Sequence, residues 1–226
     1  MISIEANIGA GKSTFLKELV EKWDKLYNVI PEPLDLWKEK HGDNNILGLF
    51  YSNMERWSYT FQTNAFITRI QKYQQEKKED KVNLTERCVE SDHHLFAHML
   101  KEDGKMNEVE WHYYLNWYQW LVGEFKAKPN GIIYLQCSPE IAYERIQKRQ
   151  REEENGIPYD YIKRLHEFHE NWLLNKTDIP VLILNVDEGF ENNEEKMKLM
   201  EQQVAEFVRK IYNYSEISTS ERHIGH

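Results

Sequence analysis

The stretch IEANIGAGKST, residues 4–14, decides how the rest of the chain is read. It matches the phosphate-binding pattern G-x-x-x-x-G-K-[ST] at Gly11, Lys12 and Ser13, but Ala6 stands at the first glycine position. Ile2–Ile4 reads as a strand, the next eight residues as a loop and Ser13 onward as a helix, which is the context the pattern requires. In such a loop the backbone amides of Asn7, Ile8, Gly9, Ala10 and Gly11 and the helix start at Thr14 offer N–H donors and a positive dipole end to phosphate oxygens. Lys12 adds a point charge, and the Ser13 hydroxyl suits Mg²⁺. Alanine at position 6 costs little at negative φ and on the order of 1 kcal/mol in a left-handed conformation. Sequence leaves both open.

Working outward, β-branched or aliphatic runs recur: ISI near the start, NVIP from Asn28, VNLT from Val82, GIIYLQ from Gly131 and PVLILNV from Pro180. Each is followed by a helical pattern, so five βα units and a parallel sheet buried on both faces are expected. Helices are expected over about 13–26, 54–75 and 193–212, with Pro158 in the first turn of another. The segment EVEWHYYLNWYQWLVGEF is apolar on more than one face and reads as a core helix, with a subunit interface as the second reading. No linker or repeat interrupts the pattern. The expectation is one α/β domain over residues 1–226.

Bulk properties narrow the partners. A net charge of −9 without a long basic block argues against nucleic acid, while leaving room for a small anion in a local basic pocket. No apolar run approaches the roughly 20 residues that span a bilayer. Two cysteines, Cys88 and Cys137, make no disulfide framework. The chain begins directly in a strand-like run, so the expected location is cytoplasmic, or nuclear, without a targeting peptide.

In an open parallel sheet, ligands bind at the carboxyl ends of the strands. Glu32 follows the second strand in PEP, and Glu86 and Arg87 follow the third in LTERCVESD, so both should meet the loop at one edge. Arg145 and Arg149 lie four apart on a helix and share a face, with Arg151 close behind. A surface salt-bridge face is the plain reading. Beside a triphosphate the same segment is a lid that neutralises charge developing in phosphoryl transfer. His94 with His98, and His166 with His169, have spacings compatible with shared metal ligation, but no cysteine or carboxylate constellation joins them.

Five blocks in order, IEANIGAGKST, PEPLDLW, ERWSYTFQT, TERCVESD and REEENGIPYDYIKRLHEFHENWL, resemble the deoxyribonucleoside kinases, in particular the deoxycytidine and deoxyguanosine kinase branch. The resemblance extends to about Phe190 and implies a P-loop kinase fold, a five-stranded parallel sheet flanked by helices, with an arginine-rich lid at about 145–157. It implies a homodimer that transfers the γ-phosphate of ATP, with Mg²⁺, to the 5′-hydroxyl of a deoxyribonucleoside, and it raises feedback inhibition by deoxynucleoside triphosphates. On that resemblance Glu32 is the general base, Arg87 holds it and the 5′ oxygen, and Glu86 orients Mg²⁺ through water beside Ser13. Arg145, Arg149 and Arg151 are the lid arginines, and Phe190 meets the donor base. Tyr51 and Glu154 hold the 3′-hydroxyl, Gln62 reads the base edge, and Phe61 and Phe96 sandwich the base. Trp37, Leu47 and Phe50 wall the pocket. Ala65, Arg69 and Asp92 set specificity, and their combination disfavours thymidine.

The chain departs from the family pattern at Ala6, at Cys88 after Glu-Arg, at His93 and His94, and at Gly189. Two rivals share the motif. A thymidylate-type monophosphate kinase has an already ionised acceptor and needs a cationic clamp more than a base. A non-catalytic nucleotide-binding assembly subunit would draw on Ala6 and the Trp-rich helix, but has no use for Lys12, Glu32, Glu86 and Arg87 together.

Overall fold

A computed structural model describes residues 1–149, 157–191 and 193–212. Five parallel strands run in the order β2-β3-β1-β4-β5: β1 (Ile2–Ala6), β2 (Tyr27–Ile30), β3 (Val82–Glu86), β4 (Gly131–Gln136) and β5 (Val181–Asn185). All pairings are parallel, so every strand delivers its carboxyl end to the same edge. Central β1 is buried throughout, whereas edge strand β5 is only partly covered and Ile183 is 43% exposed. The expectation of a sheet buried on both faces therefore holds at the centre and fails at that edge, where the face carrying Ile183 is left partly uncovered.

Helix α1 (Lys12–Trp23) leaves the loop one residue earlier than expected and packs Phe15, Leu16 and Leu19 into the core under the sheet. Short α2 (Leu34–Lys38) and α3 (Ile46–Ser52) lead to α4 (Met54–Glu76), where the Asn53 side chain accepts from the Arg56 amide as an N-cap. After β3 come α5 (Val89–Ser91), a π-helical turn (Asp92–Ala97) and α6 (His98–Glu102). Helix α7 (Glu108–Phe125) starts in a capping box, with Asn107 Oδ1 accepting from the Glu110 amide and the Glu110 carboxylate accepting from the Asn107 amide. Helix α8 (Pro139–Arg149) follows β4, α9 (Tyr159–Glu170) runs into a second π turn (Asn171–Lys176), and α10 (Glu194–Tyr212) packs Met197, Met200, Val204 and Val208 into the core. Pro158 caps α9 rather than occupying its first turn, at φ −73° and ψ 149°.

Helix α7 corrects the expectation of a fully buried core helix. Tyr114, Tyr118 and Leu121 face the second core cluster beside α4, while Tyr113, Trp117 and Trp120 are exposed. The aromatic side chains on its inner face each stabilise the fold by about 1.5–3 kcal/mol through burial. The outer face gains none of this within one chain. No helix among the described residues is long and apolar enough to cross a membrane.

Candidate active site

The phosphate loop begins where β1 ends. Among the described residues positive φ outside glycine occurs only at Arg87 and Lys126, so Ala6 has ordinary strand geometry and its methyl group carries no backbone strain. The conformational demand falls instead on Gly9 and Gly11, at φ 85° and 95°. A Cβ built on Gly9 would lie 2.3 Å from the Ala142 carbonyl oxygen of α8, so the loop can press against that helix only with glycine there. The Asn7 side chain is turned inward: its Nδ2 donates to the Ile162 carbonyl at 2.9 Å, tying the loop to α9.

Ser13 Oγ donates to Glu86 Oε1 at 2.8 Å, so the end of β3 and the start of α1 bring two hard oxygen atoms together. Lys12 is buried beside them, and that burial brings its ammonium down to about 8. One cavity of about 180 Å³ runs from Gly9, Gly11, Lys12, Ser13 and Thr14 past Glu32, Glu86 and Arg87 to Trp37, Leu47, Phe50, Tyr51, Phe61, Gln62, Ala65, Arg69, Asp92 and Phe96. Several segments distant in sequence thus form one continuous chamber. Arg149 at the end of α8 also lines it.

Charges around Glu32 are interlocked. Arg69 of α4 donates from Nε to Asp92 Oδ2 at 2.7 Å and from Nη2 to Asp92 Oδ1 at 2.9 Å, a bidentate fork. The same Nη2 donates to Glu32 Oε1 at 3.0 Å, and Nη1 to the Glu86 carbonyl at 2.9 Å. Burial works against charge on Arg69, but Asp92 and Glu32 outweigh it and hold the guanidinium above its ordinary pKa. Burial alone would likewise raise the Glu32 carboxyl, but Arg69, Arg87 and Lys12 reverse this and hold it below the ordinary value. Glu32 is therefore a carboxylate at neutral pH.

The apolar wall is ordered by aromatic contacts. Phe50 and Phe61 stack with centroids 4.7 Å apart, Trp37 meets Phe61 edge-on at 5.4 Å, and Trp37 Nε1 donates to Thr68 Oγ1 at 2.9 Å. Arg87 lies 4.8 Å over the Phe96 ring. Gln62 is buried with its Oε1 lacking a hydrogen-bond partner, an acceptor presented to whatever enters.

Other expected residues lie elsewhere. Arg145 Nη2 donates to the Val186 and Asp187 carbonyls at 2.8 and 3.0 Å, pinning α8 to the end of β5 outside the cavity. Phe190 is buried, edge-on to Phe15 at 5.9 Å, with its ring beneath Gly11. Arg151 and Glu154, with most of the expected lid, lie outside the described residues. His94 pairs with Glu90 at 3.3 Å and His98 with Glu102 at 3.3 Å, while His169 Nδ1 donates to the Leu165 carbonyl at 2.6 Å. Sequence reasoning passed over Glu5 and Tyr161. Tyr161, in the first turn of α9, lines the cavity with no motif singling it out, whereas Glu5 carries a signal, a carboxylate inside an apolar strand run.

A glycine-dependent phosphate loop, a parallel sheet in this order and a carboxylate facing the loop define a P-loop kinase. The model of the family described as deoxynucleoside kinase matches residues 2–209. Deoxycytidine kinase 2 of Gallus gallus is 38% identical, covering 92% of this chain and 89% of that protein. Deoxycytidine kinase of Homo sapiens is 39% identical over 87% of both chains, and mitochondrial deoxyguanosine kinase of Xenopus laevis is 38% identical over 85% of this chain and 83% of that one. The chain belongs to the deoxynucleoside kinase family.

Proposed function

We propose that this protein transfers the γ-phosphate of ATP to the 5′-hydroxyl of a deoxyribonucleoside, using deoxycytidine and purine deoxynucleosides in preference to thymidine. The observation that carries this reading is Glu32, an ionised carboxylate in one cavity between the phosphate loop and the Arg69–Asp92 fork. A sugar hydroxyl is a poor nucleophile, and a carboxylate placed to accept its proton assists the attack. Loop amides and Lys12 hold the phosphates, and Arg87 steadies the acceptor oxygen and the charge that develops on transfer. Tyr51 and Glu154 take the 3′-hydroxyl, and Phe61 and Phe96 flank the base. Gln62 Oε1 accepts from a base N–H, and the fork beside Gln62 suits an exocyclic amino group better than a thymine methyl. Arg149 and Arg151 neutralise charge that develops on the transferred phosphoryl group, while Arg145 ties α8 to the end of β5 and Phe190 backs the loop beneath Gly11.

The Ser13 hydroxyl and Glu86 carboxylate, 2.8 Å apart and both oxygen donors, fit Mg²⁺, which when bound supplies charge neutralisation on the phosphates. The continuous cavity supports feedback inhibition, because a deoxynucleoside triphosphate can seat its base in the acceptor pocket and its phosphates on the loop. The exposed Tyr113, Trp117 and Trp120 support a homodimer through α7, since a patch of this kind marks an interaction surface. Cys88 and Cys137, both free and buried, fit a cytoplasmic location.

The test is phosphate transfer from ATP with Mg²⁺ to deoxycytidine, deoxyadenosine, deoxyguanosine, thymidine and thymidine monophosphate in separate assays. Transfer to the first three with poor use of thymidine supports the reading. Transfer to the monophosphate alone assigns the site to a monophosphate kinase, and ATP binding without transfer to any acceptor assigns it to an assembly subunit.

A further inference from the structure

The geometry points to Glu5 as a positioning residue for phosphoryl transfer, one that acts through Arg87 and never touches substrate; this rests on the kinase reading above. Glu5 is fully buried in β1, one residue before the strand ends. Ser3 Oγ donates to its Oε1 at 2.5 Å, and the Cys88 thiol donates to the same oxygen at 3.3 Å. Both donors hold Oε1, so Oε2 is left without a hydrogen bond and stands 3.6 Å from Arg87 Nη1, which also lacks one. Two buried, unsatisfied, oppositely charged atoms therefore face each other.

Arg87 is otherwise strapped to the same strand. Its backbone N–H donates to the Ile4 carbonyl at 3.1 Å, and its Nη2 donates to the Ala6 carbonyl at 2.9 Å. Its φ of 64° is left-handed, a conformation a non-glycine residue keeps only when its surroundings impose it. Three consecutive residues of β1 thus hold one arginine, and β1 continues directly into the phosphate loop.

A carboxylate is an expensive way to fill this space. Burial pushes the Glu5 carboxyl up, with Arg87 pulling against it, and an apolar side chain of similar size would serve stability as well or better. The charge has a use on the other side of Arg87, where Nε lies 3.5 Å from Glu32 Oε1, an ion pair too long for a hydrogen bond. Glu5 pulls the guanidinium from behind and keeps that gap open. Without it Arg87 closes onto Glu32 Oε1, which already accepts from Arg69, and makes the carboxylate a weaker base for the hydroxyl proton. It also loses its fixed distance from the loop that presents the γ-phosphate. Both losses fall on the chemical step rather than on binding.

The experiment measures kcat and KM for the full-length wild type, Glu5→Gln, Arg87→Ala and the double variant, with folding followed by thermal denaturation. A wild type that phosphorylates no nucleoside defeats the kinase reading itself. With an active wild type, Glu5→Gln is expected to lower kcat about 10- to 100-fold, as misplacing a reacting group does, with KM for both substrates within about 3-fold. In the Arg87→Ala background the same change is expected to cost nothing further, because its effect passes through that arginine. Wild-type kcat in Glu5→Gln, a loss confined to KM, or an undiminished loss in the Arg87→Ala background overturns the inference. If Glu5→Gln does not fold, Ser3→Ala keeps the charge and removes the 2.5 Å bond. It is then expected to lower kcat several-fold with Arg87 present and not at all without it, and an unchanged kcat with Arg87 present overturns the inference.

Discussion

The loop end of the cavity presents backbone together with Lys12 and the Ser13–Glu86 pair, whereas the end around Glu32 presents side chains locked to one another. Around the loop, the demanding positions are glycines, and Ala6 sits in ordinary strand geometry where a methyl group is harmless. Around Glu32, one guanidinium joins Asp92, Glu32 and the Glu86 carbonyl, so a change at any of them reaches the others. A surface made of backbone tolerates side-chain variation. A site made of forked charges discriminates, and it is correspondingly sensitive to substitution.

The largest expected effect lies in the charged half. Glu32→Gln should reduce kcat by about 10²–10⁴-fold while leaving ATP affinity close to wild type, since general base assistance is lost and the loop is untouched. Steady-state kinetics with equilibrium ATP binding checks this, and a comparable loss of ATP affinity would erase the distinction between the halves.

Next in size is a change of substrate. Arg69→Met combined with Asp92→Ala removes the fork and leaves an apolar surface, so kcat/KM for thymidine relative to deoxycytidine should rise about 10- to 100-fold. Competition between the two nucleosides in one assay measures the ratio directly. An unchanged ratio would move the discrimination to Gln62 and the aromatic walls.

On the phosphate side the expected effect is a proton. Lys12 is brought by burial to about 8 in the free protein, so above that pH it is neutral, and phosphate oxygens favour its charged form. ATP binding at pH 9 should therefore take up a proton, and affinity should weaken by up to about tenfold per pH unit above 8. Calorimetry in two buffers of different ionisation enthalpy reads the uptake. Its absence would mean that Lys12 stays charged without a ligand.

The smallest effect is expected at the position that looks most damaging in the sequence. Ala6→Gly restores the familiar pattern but should change ATP affinity by less than about 2-fold, and stability should fall by about 1–2 kcal/mol, because glycine adds entropy to the unfolded chain and the buried methyl group of Ala6 is lost. A clear gain in affinity would show that the methyl group obstructs the loop after all.

Much of this architecture is legible in the residues alone. Strand-forming runs alternate with amphipathic helices because a parallel sheet needs crossovers, and that pattern places Lys12, Glu32, Glu86 and Arg87 at one edge by topology before any distance is known. Local chemistry also marks Gly9 and Gly11, since the motif demands backbone freedom. What sequence could not decide depends on groups brought together from far along the chain. The φ at Ala6, the bond from Asn7 to α9, the capture of Arg145 by the end of β5 and the open outer face of α7 are outcomes of packing. So is the pairing of Glu5 with Arg87, 82 positions apart, because periodicity records which side of a strand a residue takes but not which charge waits there.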